Sequence, residues 1–353
     1  MANMVKRIGI LTSGGDAPGM NAAVRAVVRT ALGKGIECVG IRRGWNGLIN
    51  SDFFPMDSDS VSHILDRGGT ILFTARSEEF INEGGRKKAV ATCKLLGLDG
   101  IVAIGGDGTF RGAQELSKCG VSVVGIPGTI DNDIVCTDYT IGFDTALNTA
   151  CECINRVRET SDSHERASLI TVMGRNCGDI ALHTAFACGA EMVMVPEIPW
   201  SIEEIAERVK WGVLRGKASM IIVFAEGAMQ SQTADIGKIC AEHEKLSHIS
   251  TEHLTSSQIA EIIEVLSGHE TRATVLGYIQ RGGSPSGRDR ILAGRLGSRA
   301  VELLRDDQGG LAVGERGNRI IEVPLSEVQK GEHAADTQIA ELINVMAVMT
   351  KYK

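Results

Sequence analysis

The sequence predicts an α/β protein made of two doubly wound halves, each a largely parallel sheet flanked by helices. Three observations predict it. Short apolar segments alternate with amphipathic ones along most of the chain. Glycine-rich turns follow several of the apolar segments, and the 42 glycines cluster at strand ends rather than in linkers. At 353 residues the chain is long enough for about two domains with full cores.

The elements follow in order. Residues 7–12 form the first predicted strand, 13–19 a glycine-rich turn and 20–32 a helix. A second strand spans 36–41, and a looser segment with Gly44, Gly47, Gly68 and Gly69 follows. Residues 86–96 read as a helix and 100–104 as a strand. Gly105 to Thr109 is a second glycine turn, opening a helix that reaches about Lys118. The apolar strand 121–126 then delivers the turn 127–133. A second series begins near Phe143 with a long helix to about Ser161. Strands are predicted at 168–173, 191–195, 220–225 and 273–279, and helices at 202–214 and 288–304. Residues 230–255 are polar, and the spacing of His243, His248 and His253 does not gather three imidazoles on one helical face. That segment reads as a surface elaboration.

Composition excludes several classes. With 43% apolar and 23% charged residues the chain is globular rather than disordered. No run of 18 apolar residues suggests a membrane span. The N-terminal residues enter a strand at once, without a signal-peptide layout. Nine scattered cysteines, with no C-x-x-C, read as reduced thiols of a cytoplasmic protein. Cys151 and Cys153 stand two apart on a predicted helix and so face different directions. A net charge of −7 speaks against nucleic-acid binding, and it requires an anionic substrate to be met by locally gathered arginines.

The chemistry concentrates in the three turns. Glycine lets backbone N–H groups approach phosphate oxygens, and a helix N-terminus adds a favourable dipole. Each turn also carries an aspartate, so together they predict a phosphate-ligand site. There is no G-x-x-x-x-G-K-[ST] run and no G-x-G-x-x-G dinucleotide fingerprint. Asp107, between two glycines, has the position either of a Mg²⁺ ligand or of a helix N-cap. Asp131 and Asp133 point the same way if their turn is extended. They then hold a metal, supply a base, or only make Asx-turn bonds. Arg76, Arg166, Arg175, Arg272 and Arg281 lie in glycine-, serine- or threonine-rich edge contexts that suit bidentate phosphate binding, or are solvated surface charges. Arg25 and Arg29 share one helical face, which binds a second anion or is simply wet.

The stretches I-G-I-L-T-S-G-G-D-A-P-G-M-N, I-G-G-D-G-T, P-G-T-I-D-N-D, V-M-G-R and R-A-T-V-L-G-Y-I-Q-R-G-G-S-P closely resemble those of the 6-phosphofructokinases, in the same order and across nearly the whole chain. The resemblance implies two Rossmann-like doubly wound domains with the active site in the cleft between them. An ATP-binding domain would take 1–142 plus about 280–330, and a fructose 6-phosphate-binding domain 143–279 plus about 331–353. It implies transfer of the γ-phosphoryl group of ATP to the 1-hydroxyl of fructose 6-phosphate, a glycolytic step. By motif, Asp131 would be the general base and Thr129 a neighbour of the transferring phosphoryl. Asp107 would hold Mg²⁺ with Asp133 close by. Gly15, Arg76, Gly106, Asp107, Gly108 and Thr109 would cradle ATP, with Gly15, Arg76 and Arg175 also counted among the catalytic residues. Met173, Gly174, Arg175, Glu226, Tyr278 and Arg281 would hold the sugar phosphate, together with Thr129 and Asp131. Arg166 and Arg272 would reach across from a neighbouring subunit of a homotetramer.

The resemblance also bears on the donor. Relatives that use pyrophosphate carry Asp where Gly108 stands and Lys where Gly128 stands. Glycine at both positions favours ATP. Tyr278 replaces the family's usual histidine, which keeps a hydrogen-bond donor and loses a positive charge. Arg25, Arg29, Arg158, Arg215 and Lys217 match the effector site for ADP or phosphoenolpyruvate of bacterial members. Ser58 replaces another arginine of that set, with Asp59 beside it.

Overall fold

The apolar run at the start of the chain becomes β1 (Arg7–Ser13), the hub of the larger of two sheets in a computed structural model that describes residues 5–250, 252–328 and 335–347. The chain divides into one unit of Met1–Ala146 with Arg281–His333 and a second of Leu147–Gln280 with Ala334–Lys353. Among the described residues no helix is long and apolar enough to cross a membrane.

In the first unit β1 pairs in parallel with β2 (Glu37–Ile41) on one side and β4 (Gly100–Gly105) on the other. β3 (Phe53–Met56) adds antiparallel to β2, and β5 (Val123–Thr129) adds parallel to β4. The two-residue β6 (Ile141–Gly142) pairs with the end of β5. β1 and β4 are almost wholly buried, and β4 and the Ile8–Leu11 centre of β1 are apolar, as strands covered on both faces must be. The register places Ser13 opposite Gly105 and Gly105 opposite Pro127, so the carboxyl ends of β1, β4 and β5 lie side by side. That is the edge at which open parallel sheets bind ligands.

The helix Met20–Gly33 buries Met20, Ala23, Val24, Val27, Val28 and Ala31, a stripe at helical spacing. Each of its valines contributes roughly 1.5–3 kcal/mol by leaving water. It packs on the helix Gly287–Arg305, where a Cβ at Gly297 would stand 2.7 Å from the Cβ of Ala26. Only glycine lets the two backbones come so close.

Some boundaries differ from expectation. β5 runs to Thr129, so Pro127, Gly128 and Thr129 are strand rather than turn. The cause is β6, which pairs Gly128 with Ile141 and keeps the chain extended. Four strands were not expected, the short β3 and β6 together with β11 (Leu311–Arg316) and β12 (Arg319–Pro324); β11 joins β5 in parallel and forms an antiparallel hairpin with β12. Gly317 and Asn318 link them with φ of 53° and 62°, the left-handed pair that a tight hairpin turn demands.

The second unit is a four-stranded parallel sheet in the order β10 (Thr271–Val275), β7 (Ala167–Val172), β9 (Met220–Ala225), β8 (Met192–Met194). The strand expected over 273–279 stops at Val275, because Gly277 enters the left-handed region at φ 53° and opens a 3₁₀ turn, Gly277–Arg281. The polar segment after Gln230 is more than surface. It forms a helix, Ile236–Glu242, and buries Ile239, Leu246 and Ile249. His248 faces Glu261 at 3.3 Å.

One buried carboxylate fastens the ligand-facing end of the first unit. Asp289, 1% exposed, accepts hydrogen bonds from Gly142 N at 2.8 Å, Thr145 N at 2.9 Å and the Thr145 hydroxyl. Burial raises its carboxyl above the ordinary 3.8, although the three donors pull the other way. The folded state therefore holds this proton more tightly than the unfolded chain. The associated stability is fully present below 3.8 and is lost as pH rises through the raised value. In Asp289→Asn an amide N–H₂ would face backbone donors. Chemical denaturation at neutral pH should show a loss of about 2–3 kcal/mol.

Candidate active site

The first turn breaks from β1 at Gly14, which is left-handed at φ 88°. The second leaves β4 through Gly105. A Cβ there would meet both Ser13 O and Thr109 Oγ1 at 2.3 Å, so no larger residue fits. Thr109 explains the crowding. It is 2% exposed and donates its hydroxyl to Ser13 O at 2.9 Å, tying the helix Asp107–Lys118 to the end of β1. Its side chain is thus a strut between two turns.

Asp107 opens that helix. The N-cap is Gly106, without a side-chain capping bond, so Asp107 does not fill the N-cap role. Its carboxylate is half-exposed and pairs with Arg111 at 2.6 Å. A Cβ at Gly106 would touch Thr129 Cβ at 3.4 Å, which puts the second turn against the end of β5. A Cβ at Gly108 meets nothing within 4 Å, whereas one at Gly128 meets Ile104 Cγ2 at 3.0 Å and Met20 Cε at 3.4 Å. The two glycines thus differ: Gly108 faces open space and Gly128 faces packed core.

Beyond β5 the chain is not extended. Asn132 sits at φ 56°, a left-handed conformation that asparagine tolerates. The parity argument that pointed Asp131 and Asp133 the same way therefore does not apply. Asn132 holds this geometry by accepting from Thr140 N at 2.9 Å and donating to Asp138 O at 3.3 Å, while Thr140 donates its hydroxyl to Thr129 O at 2.6 Å. Asp131 is 8% exposed, and its N–H donates to Thr129 Oγ1 at 3.2 Å. Asp133 is half-buried. Asn132 and Thr140 escaped the sequence reading, although an asparagine between two turn aspartates is itself a signal for a left-handed residue.

Arg76 is exposed, on a loop lashed to the first turn. Asn21, 1% exposed, donates to Arg67 O and Gly68 O at 3.1 Å and accepts from Ile71 N at 2.8 Å. Thr74 donates to Gly14 O at 2.6 Å. Arg281 joins the same neighbourhood: Nη1 donates to Asp16 O at 3.1 Å, and a Cβ on Gly15 would stand 2.7 Å from it. Of the residues expected to hold the sugar phosphate, Arg281, Thr129 and Asp131 thus belong to the first unit.

The rest of that set lies in the second unit. Gly174 (φ 136°) and Arg175 (φ 57°) form a tight turn after β7. A Cβ on Gly174 would stand 2.5 Å from Cys177 O. Glu226 fixes the turn by accepting from Arg175 N at 2.7 Å, and Gln280 holds Met173 N at 2.9 Å. The Arg175 side chain is exposed. Tyr278 is 83% exposed on its 3₁₀ turn. Arg166 and Arg272 share Glu270, at 3.8 and 3.0 Å, and Arg272 also pairs with Glu264 at 3.1 Å.

The residues matched to an effector site divide between the units. In the first, Arg29 donates to Ser58 O at 2.9 Å and Arg25 is half-buried. In the second, Arg158 donates to Cys188 O at 2.5 Å, and Lys217 pairs with Glu191 at 2.9 Å. Arg215 is the C-cap of the helix Ile202–Leu214. Lys217 and Glu191 line a cavity of about 170 Å³ with Gly189 and Ile343.

The phosphofructokinase family profile matches residues 7–304. An ATP-dependent 6-phosphofructokinase of Clostridium tetani is 50% identical over 343 residues, covering 97% of this chain and 100% of its own length. One of Clostridium botulinum is 48% identical with the same coverage. Among solved structures, a phosphofructokinase from Saccharomyces cerevisiae superposes with a TM-score of 0.80 at 33% identity; the match covers 97% of this chain and 48% of the longer yeast chain.

Proposed function

The chain belongs to the phosphofructokinase family, and from that premise we propose that it transfers the γ-phosphoryl group of ATP to the 1-hydroxyl of fructose 6-phosphate, giving fructose 1,6-bisphosphate and ADP. The observation that carries the reading is the alignment of three glycine-rich strand ends, with Asp107 on one and Asp131 just beyond another. Phosphoryl transfer asks the protein for positioning and neutralisation of charge rather than covalent chemistry. The first unit would hold ATP through Gly15, Arg76, Gly106, Gly108 and the turn that Thr109 braces. The second would hold the sugar phosphate through Met173, Gly174, Arg175, Glu226 and Tyr278. Arg281 supplies a further guanidinium from the first unit.

Asp131 is the general base. It takes the proton of the 1-hydroxyl while that oxygen attacks the γ-phosphorus, and the bond to the β-phosphate oxygen breaks to release ADP. Its burial keeps the carboxylate from bulk water, and Thr129 fixes the turn that carries it.

The donor set fits Mg²⁺. Asp107 offers hard oxygens at a half-exposed position. Such a cation takes most of its oxygens from phosphate and water and needs only one or two from the protein. Asp107, with Asp133 as the second carboxylate, would hold the ion, which when bound neutralises charge on the phosphates. The ion pair to Arg111 opposes this little, since an exposed helical pair is worth about 0.3–0.5 kcal/mol.

Arg166 and Arg272 sit together on Glu270, and in a homotetramer they would turn from that carboxylate to a neighbouring subunit's sugar phosphate. The protein is proposed to work in the cytoplasm. A panel of phosphorylated sugars tests the acceptor. ADP release should be fastest with fructose 6-phosphate, and a preference for another sugar phosphate would reassign the substrate.

A further inference from the structure

Sequence spacing set Cys151 next to Cys153; the fold sets it next to Cys188. Cys151 lies in the helix Phe143–His164, and Cys188 is the C-cap of the helix Asp179–Ala187. The Cys188 thiol donates to Cys151 O at 3.9 Å, which sets the two residues against each other. Both residues are half-buried, so small reagents can reach them.

The other thiols make a useful contrast. Cys38, Cys93 and Cys136 are buried, and desolvation pushes them up to about 12, 11 and 12. They stay protonated and inert. Cys153, half-buried, is also raised, first by burial and then by Glu152. Cys151 is moved the opposite way by its interaction with Cys188, while Cys188 is raised. The Arg158 guanidinium, which donates to Cys188 O at 2.5 Å, opposes that rise. One sulfur of the pair is thus poised as nucleophile. Its partner's sulfur lies against the Cys151 backbone.

We propose that Cys151 and Cys188 are a redox modification site, a thiol pair that hydroperoxides oxidise to a disulfide. The Cys151 thiolate attacks the outer oxygen of the peroxide. The O–O bond breaks, the alcohol or water leaves with a proton, and Cys151 becomes a sulfenic acid. Cys188 Sγ then attacks the Cys151 sulfur. The S–S bond forms, the S–O bond breaks, and hydroxide departs as water with the Cys188 proton. Two thiols lose two electrons and the peroxide gains them. The product ties two helices of the second unit together at the turn that Arg158 caps.

This inference does not depend on the phosphoryl-transfer reading. The test treats the native, assembled protein with hydrogen peroxide, alkylates the remaining thiols and maps the digest without reduction. The expected product is a peptide pair joined through Cys151 and Cys188 and lighter by two hydrogens. In Cys188→Ser, a sulfenic acid should persist on Cys151 and be captured by dimedone; in Cys151→Ser, Cys188 should not be captured. Oxidation confined to exposed Cys119, with Cys151 and Cys188 both recovered as alkylated thiols, would overturn the proposal. So would a Cys151–Cys153 link. The wild-type map decides the matter even if a variant folds poorly.

Discussion

Asp131→Asn lowers turnover by roughly 10²–10⁴-fold and leaves ATP affinity largely intact. The substitution preserves shape and removes the proton acceptor. It keeps the bond from the Asp131 backbone N–H to Thr129 Oγ1 that helps shape the turn. It does not reach the first two glycine turns, the proposed ATP cradle, which rest on other contacts, among them the Thr109 strut to Ser13 and the Thr74 anchor to Gly14. The loss should therefore fall on kcat, read from steady-state kinetics with both substrates saturating. Near-normal turnover would remove Asp131 as the base.

Gly108→Asp should cost ATP-dependent catalysis about 10²–10³-fold in kcat/KM. A Cβ at Gly108 meets nothing within 4 Å, so the variant should fold and melt like the parent. What changes is charge: a new carboxylate appears beside Asp107, where the polyphosphate would bind. Like charges about 5 Å apart at an effective dielectric near 20 repel by roughly 3–4 kcal/mol, which sets the size of the loss. Lysine at Gly128 is a different matter. Its Cβ would press on Ile104 and Met20, so that change must first disturb the core. Glycine at 108 leaves open space, whereas glycine at 128 is required by packing. A Gly108→Asp variant that retained full ATP-dependent activity would show that the open space is not donor space.

Much of the fold was legible because its strands are extreme. β1, β4 and β9 are continuous apolar runs ended by glycine or a turn residue, and a strand buried on both faces leaves that pattern. The β11–β12 hairpin was missed although its Gly317-Asn318 turn is readable, because the flanking strands mix buried and exposed residues without clean alternation. The site was legible as residues but not as geometry. Glycine turns and aspartates announce phosphate chemistry. The left-handed Asn132, the strut role of Thr109 and the anchoring by Asn21 depend on partners up to 96 positions away in sequence. Cys151 shows the same limit, since its partner Cys188 lies 37 residues on.

The phosphoryl donor is the most direct test of the central claim. Fructose 1,6-bisphosphate formation should be measured with Mg-ATP and with Mg-pyrophosphate at matched concentrations, using one preparation of the wild-type protein. ATP should support rapid turnover and pyrophosphate far less; turnover with pyrophosphate equal to or faster than with ATP would contradict the account.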